Sequence, residues 1–159
     1  MPHIVAELES FTELSEPILY KREKDRYEII YEPGIKGLDD LVSEILKHQD
    51  ESALCVVNTI SKAKKLYKTL KNSSKRSVYL LTTHQIPLHR VQIIDEIKEK
   101  LKSGEKITLV ATQLIEAGVD LSFDVGFREF APIGAIIQAA GRVNRNATSS
   151  KPAKVVVFD

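Results

Sequence analysis

A single cysteine, Cys55, stands in 159 residues, so no internal disulfide can staple the fold. It sits in the apolar run Ala53 to Val57, where a buried and unreactive thiol is expected. Long hydrophobic runs are missing too: none reaches the ~18 apolar residues that would span a bilayer, and no membrane partner is expected. The opening Met1-Pro2-His3 lacks the basic and apolar regions of a secretory signal, which predicts a cytoplasmic location. Charge of one sign is not in excess, the formal net charge being +1. A free-standing nucleic-acid module usually carries a basic surplus, so charge by itself does not point to DNA. The basic residues that gather between Lys62 and Lys75 read as the solvated face of a helix. Two further absences limit the chemistry. No G-x-x-x-x-G-K-[ST] loop is present to cradle β- and γ-phosphates. No apolar strand ends in Asp-Glu-x-His or Asp-Glu-Ala-Asp to hold magnesium, because Asp39-Asp40 lies in an amphipathic stretch and Asp50-Glu51 precedes a strand. A His-Asp nuclease pair is likewise missing, and His84 and His89 have no cysteine or carboxylate partners at ligand spacing, so no metal site is expected.

What is present is the composition of one soluble globular domain, 43% apolar and 28% charged. From Glu51 onward short apolar runs alternate with amphipathic stretches, which predicts an α/β fold: three layers, with a mostly parallel sheet covered by helices on both faces. The predicted strands are Ala53 to Val57, Val78 to Thr82, Thr108 to Ala111, Val125 to Phe130 and Lys154 to Phe158. Helices are predicted over Leu38 to His48, Ile60 to Leu70, Leu88 to Leu101 and Ile133 to Asn144, with a shorter turn at Gln113 to Ala117. Val91, Ile94, Ile97 and Leu101 make one apolar stripe along the third of these, and Gly104 is placed to stop it. Pro17 to Arg22 and Arg26 to Glu32 read as a hairpin. Residues 1–34 are expected to lead into the domain from a preceding one and to pack on an edge of the sheet, with the domain proper at 35–159.

Ligands of an open parallel sheet bind where strand carboxyl ends open into loops, and four polar segments are expected at such ends. They are Val56 to Thr59, Leu80 to Arg90, Ala111 to Asp120, and Gln138 to Arg145. Asn58 or Thr59 could equally cap the helix that follows, and His89 and Arg90 could be a solvated first turn. In the last segment Arg142 and Arg145, three apart on a predicted helix, would share one face, where planar guanidinium forks can grip phosphate. Their alternative is a helix C-terminus favouring cations. Gly141 inside that helix costs about 1 kcal/mol against alanine and calls for a close approach to a strand or a nucleotide.

These residues resemble motifs IV, V and VI of superfamily 2 helicases, and most closely the CRISPR-associated helicase of type I interference systems. Thr112, Gln113, Glu116, Gly118, Val119 and Asp120 match its T-Q-x-x-E-x-G-V-D, and Ala131-Pro132 its A-P. Gln138, Gly141, Arg142, Asn144 and Arg145 match Q-R-x-G-R-x-N-R, while Leu80 to Arg90 resembles L-L-S-T-H-x-x-P-x-H-R. Ala139 stands where the family has arginine and Thr82 where serine is usual. The resemblance implies a second RecA-like domain that supplies arginine fingers, Arg142 and Arg145, to ATP. Gly118, Asp120 and Gln138 would complete its nucleotide contacts. Asn58, Thr59, Thr83, His84, Arg90, Thr112 and Gln113 would hold the nucleic-acid backbone. It also implies that ATP and Mg²⁺ bind jointly with a first RecA-like domain that this chain lacks, so the chain alone would be inactive. Single-stranded DNA, a CRISPR surveillance complex and a His-Asp nuclease domain are the implied partners. Other superfamily 2 helicases share motifs V and VI, and a RecA-like module used only for docking or passive binding is a further alternative.

Overall fold

The computed structural model describes residues 26–112, 120–146 and 151–159. Within them six strands form one sheet: β1 (Tyr27–Tyr31), β2 (Ala53–Val56), β3 (Ser77–Leu81), β4 (Ile107–Ala111), β5 (Val125–Glu129) and β6 (Ala153–Phe158). Their order is β1-β6-β5-β2-β4-β3 and every pair is parallel. The helices are α1 (Leu38–Lys47), α2 (Ile60–Ser73), α3 (Pro87–Lys102) and α4 (Ile133–Ala140). Side chains alternate across a strand, so β2 sends Ala53 and Cys55 to one face and Leu54 and Val56 to the other. The first face is covered by α1 and α2 through Leu41, Ile45, Leu66 and Leu70. The second is covered by α3 and α4 through Ile97 and Ala139. Burial on both sides explains why the central strands are near-continuous apolar runs. It also pushes the Cys55 thiol, fully buried, far above its ordinary pKa.

Local sequence sets the helix ends. Thr59 caps α2, its hydroxyl accepting from the Lys62 amide at 3.2 Å. Pro87 opens α3, whose fixed φ suits a first turn. Gly104, at φ +81°, closes α3: its own amide donates to Leu101 O and the Glu105 amide to Lys100 O, the paired bonds of a left-handed glycine stop. At the other edge Tyr27–Tyr31 runs parallel to β6, while the remaining arm of the expected hairpin, residues 17–22, lies outside the described residues.

One predicted element ends early. The helix expected to reach Asn144 stops at Ala140, with Gly141 as its C-cap at an ordinary φ of −62°. Ile136, Ala140 and Val143 keep helical spacing past that point, but Val143 instead forms a parallel bridge with Phe123 and is fully buried. Gly126 makes room for it: a Cβ there would meet Val143 Cγ2 at 2.7 Å. Asn144 then turns the chain at φ +45°, a conformation asparagine tolerates better than most residues.

Candidate functional site

The carboxyl ends of β2, β3 and β4 form one rim, which carries the nucleic-acid candidates Asn58, Thr59, Thr83, His84, Arg90 and Thr112. At the end of β2, the side chain of Asn58 is already engaged. Its Oδ1 accepts from Arg128 Nη1 at 2.8 Å, its Nδ2 donates to Phe130 O at 2.9 Å, and its amide donates to Glu129 Oε2 at 2.6 Å. Glu129 also pairs with Lys62 Nζ at 2.7 Å. This network ties the start of α2 to the end of β5, so Asn58 works as an internal brace and Thr59 as the cap. Arg128 is 1% exposed; it also donates to Val56 O, and its Nη2 is buried without a hydrogen-bond partner. Burial pushes its guanidinium below the ordinary arginine pKa, with Glu129 opposing.

At the end of β3, Thr82 is buried and its amide donates to Gln85 Oε1 at 2.8 Å, while Gln85 Nε2 returns a bond to Leu80 O at 2.8 Å. Gln85 thereby fixes the turn that leaves Thr83 and His84 exposed to solvent. Ile86, Leu88 and Val91 are exposed beside them, and Arg90 is half-buried. Thr112, beyond β4, is buried and its amide donates to Leu81 O. Gln113 and Gly118 lie outside the described residues.

The arginine segment corrects two expectations. Arg142 and Arg145 follow α4 instead of lying on it, so no shared helix face aligns them. Nor does this segment sit at a strand's carboxyl end. The eight residues of α4 rise about 12 Å and return the chain across the sheet. There Val143 meets Phe123, two residues before β5 begins, and Asn144 Nδ2 donates to Arg26 O, one residue before β1. The segment is fastened along 122–123: Phe123 N donates to Arg142 O, Asn144 N to Phe123 O, and Arg145 N to Ser122 Oγ at 3.1 Å.

In this setting Arg142 is 9% exposed and Arg145 turns outward, its Nε 3.3 Å from Asp120 Oδ1. Burial lowers the Arg142 pKa, Arg145 pushes the same way, and Asp120 opposes both. The three predicted nucleotide residues Asp120, Arg142 and Arg145 are therefore one electrostatic cluster. Asp120 borders an open cleft of about 410 Å³ with Lys98, Leu101, Lys102, Ser122 and Asn146. Gln138 is exposed on α4, next in the helix to the exposed Ile133 and Ile137. Gly141 has only ordinary van der Waals neighbours, so the close approach expected of it belongs to Gly126.

Sequence reasoning missed Gly126, Arg128, Gln85 and Ser122. A glycine inside an apolar strand and a charge within a buried run were the available signals. Among the described residues no group of three or more His, Cys, Asp or Glu could hold a metal ion, and no helix is long and apolar enough to cross a membrane.

Comparison with known proteins bears on the fold and the family. A RecA-like domain of a DEAD-box protein, the C-terminal domain of Dbp5, superposes with a TM-score of 0.63 at 17% identity over 85% of this chain and 76% of that one. The T. fusca Cas3-ATP crystal structure superposes with a TM-score of 0.72 at 24% identity, covering 84% of this chain and 18% of that one. These likenesses establish the RecA-like fold. In sequence, the CRISPR-associated nuclease/helicase Cas3 of Methanothermobacter thermautotrophicus is 34% identical over 110 residues, 69% of this chain but only 13% of that protein. Residues 49–148 match the family described as CRISPR-associated nuclease/helicase Cas3, C-terminal, and the chain belongs to that family.

Proposed function

We propose that this chain is the second motor domain of an ATP-dependent single-stranded-DNA translocase acting in CRISPR interference, completed by a first RecA-like domain. The observation that carries the proposal is the cluster of Asp120, Arg142 and Arg145. A carboxylate beside two guanidiniums suits one side of a nucleotide: Asp120 accepts from ribose hydroxyls while the arginines face phosphate. The Asp120–Arg145 pair is largely exposed, at 74% and 39%. Such a pair is weakly held and exchanges readily for ATP. Arg142 is desolvated, and a charge in a water-poor setting acts more strongly on the charge that develops during phosphoryl transfer. Gln138 and Gly118 complete this side, again by resemblance.

Mg²⁺ would polarise the phosphates, and on this reading it is held with the β- and γ-phosphate loop by the first domain. On the rim, Thr83, His84 and Thr112 contact the strand's backbone, with Arg90 alongside, and Asn58 and Thr59 set the loop's position; Gln113 joins them by resemblance alone. The surveillance complex and a His-Asp nuclease domain are the partners this reading implies.

The test uses the complete parent enzyme. Arg142→Ala is expected to cut ATP turnover by about 10³ or more, the usual weight of such a finger, while a fluorescent ATP analogue still binds. Unchanged turnover would remove the assignment. The 159-residue chain alone is expected to hydrolyse no ATP with or without DNA, and hydrolysis by a clean preparation would contradict its being half a motor.

A further inference from the structure

Although the chain's formal charge is +1, its charges are unevenly placed. No Asp or Glu occurs between Glu51 and Asp95, a stretch that contains six lysines, Arg76 and Arg90. In the fold this stretch wraps one edge of the domain: α2 lies on one face, β3 forms the edge, and the Thr83–Arg90 rim leads into α3 on the other face. Two of its cations are used internally. Lys62 pairs with Glu129, and Arg76 donates to the carbonyls of Ile45 in the last turn of α1 and of His48 and Glu51 beyond it. Of the remainder, Lys71 lies over the Tyr67 ring of its own helix at 5.6 Å, a contact that leaves its charge without an acid. Lys64, Lys68 and Lys71 follow at i, i+4 and i+7 along one flank of α2, away from the buried stripe of Ala63, Leu66 and Leu70. Lys75 continues the line just past the C-cap Ser74.

All four are exposed, and among the described residues none has a carboxylate within ion-pair range. Lysines on the other helices differ: Lys47 pairs with Glu44, Lys98 with Asp95 and Lys102 with Glu99. A solvated helix face is ordinarily laced with such i,i+3 and i,i+4 pairs. The lower end of the lysine line opens on a shallow depression of about 420 Å³, lined by Lys71, Lys75, Arg76, Ser77, Val78 and Tyr79, with no acid among them. Its upper end is Thr59, on the rim.

We infer that the lysine stripe of α2, Lys64, Lys68, Lys71 and Lys75, binds the phosphate backbone of the nucleic-acid strand outside the motor cleft, extending the rim's grip down the β3 edge. Like charges held close without counter-ions favour a polyanion, and binding releases the counter-ions condensed on it. Flexible ammonium groups suit contacts that carry no sequence information, as a motor requires. The choice of nucleic acid over an acidic protein rests on the proposed function.

The test is fluorescence anisotropy of the 159-residue chain with a labelled oligothymidylate of roughly 30 nucleotides, titrated between about 25 and 200 mM salt. Replacing all four lysines by glutamine is expected to weaken low-salt binding at least ~10-fold and to flatten the slope of log affinity against log salt by roughly 3, about 0.7 per single-strand phosphate lost. Lys98→Gln with Lys102→Gln, lysines that already have partners, is expected to change neither. A quadruple variant that keeps both affinity and slope overturns the inference, as does the absence of binding by the unaltered chain. So does polyglutamate of equal charge competing as well as DNA, which would assign the stripe to an acidic protein. Thr83→Ala with His84→Ala separates the two proposals: if only this variant weakens binding, the stripe falls and the rim stands, and if only the stripe variant weakens it, the rim reading falls.

Discussion

Gly126 decides how closely the chain after α4 can lie on the sheet. The methyl group of alanine there would stand 2.7 Å from Val143 Cγ2, and valine has little rotamer freedom with which to yield. Gly126→Ala is therefore expected to cost about 1–3 kcal/mol, as overpacked cores do. The measurement is the urea midpoint at constant m. Relief of the clash has to lift Val143 and with it the Arg142 and Asn144 bonds to Phe123, so ATP turnover in the parent enzyme should fall in the same variant. Full stability would mean that Val143 does not pack on β5. Arg128 presents the opposite case, a charged residue buried at the neighbouring position on the same face. It holds Val56 O and Asn58 Oδ1 yet leaves Nη2 unsatisfied, a cost of order 1–3 kcal/mol that is tolerable because the two bonds tie the chain leaving β2 to the paired end of β5.

Elements were more legible than their arrangement. The central strands begin and end within a residue of expectation because burial on both faces writes them as continuous apolar runs bounded by polar turns. Helix α3 was legible at both ends, since Pro87 and Gly104 each have a conformational reason to stand where they do. The end of α4 was not, because Val143 keeps helical spacing with Ile136 and Ala140 while answering to a hole above Gly126 that only the folded sheet creates. The site divides the same way. Motif spelling singles out Asp120, Arg142 and Arg145 as candidates, and the fold brings the three together, but no spelling shows that Arg142 is buried and Arg145 outward, nor that they sit away from the strand carboxyl ends. Asn58, expected as a contact or a cap, is exposed and is also a brace, through Arg128 and Phe130 some seventy positions away, a pairing no local pattern records. Thr59 can be resolved by substitution. Thr59→Ala should lose about 1 kcal/mol of stability with the cap, and Thr59→Asn should restore most of it. If the alanine variant is as stable as the original, the hydroxyl does not cap α2.

At the scale of the molecule the candidate residues occupy two regions: the rim at the ends of β2, β3 and β4, and the arginine cluster beyond α4 near the start of β5. A shared sheet separates them, and the chain joins them twice: α4 leads from the Asn58–Phe130 brace to Arg142, and residues 113–119 lead from Thr112 to Asp120. Substitutions at well-separated sites without common partners add in free energy, whereas those in one network do not. In the parent enzyme Asp120→Ala is therefore expected to raise the KM for ATP several-fold and leave the DNA concentration for half-maximal stimulation unchanged. Thr83→Ala with His84→Ala should do the reverse, and the combined variant should show the product of the two effects within about two-fold, the scatter expected of additive sites. Steady-state ATPase titrations in both ligands measure all of these quantities. A combined loss far from that product would mean that rim and cluster communicate during the cycle, and a shift in both constants from either variant alone would mean that they are one site.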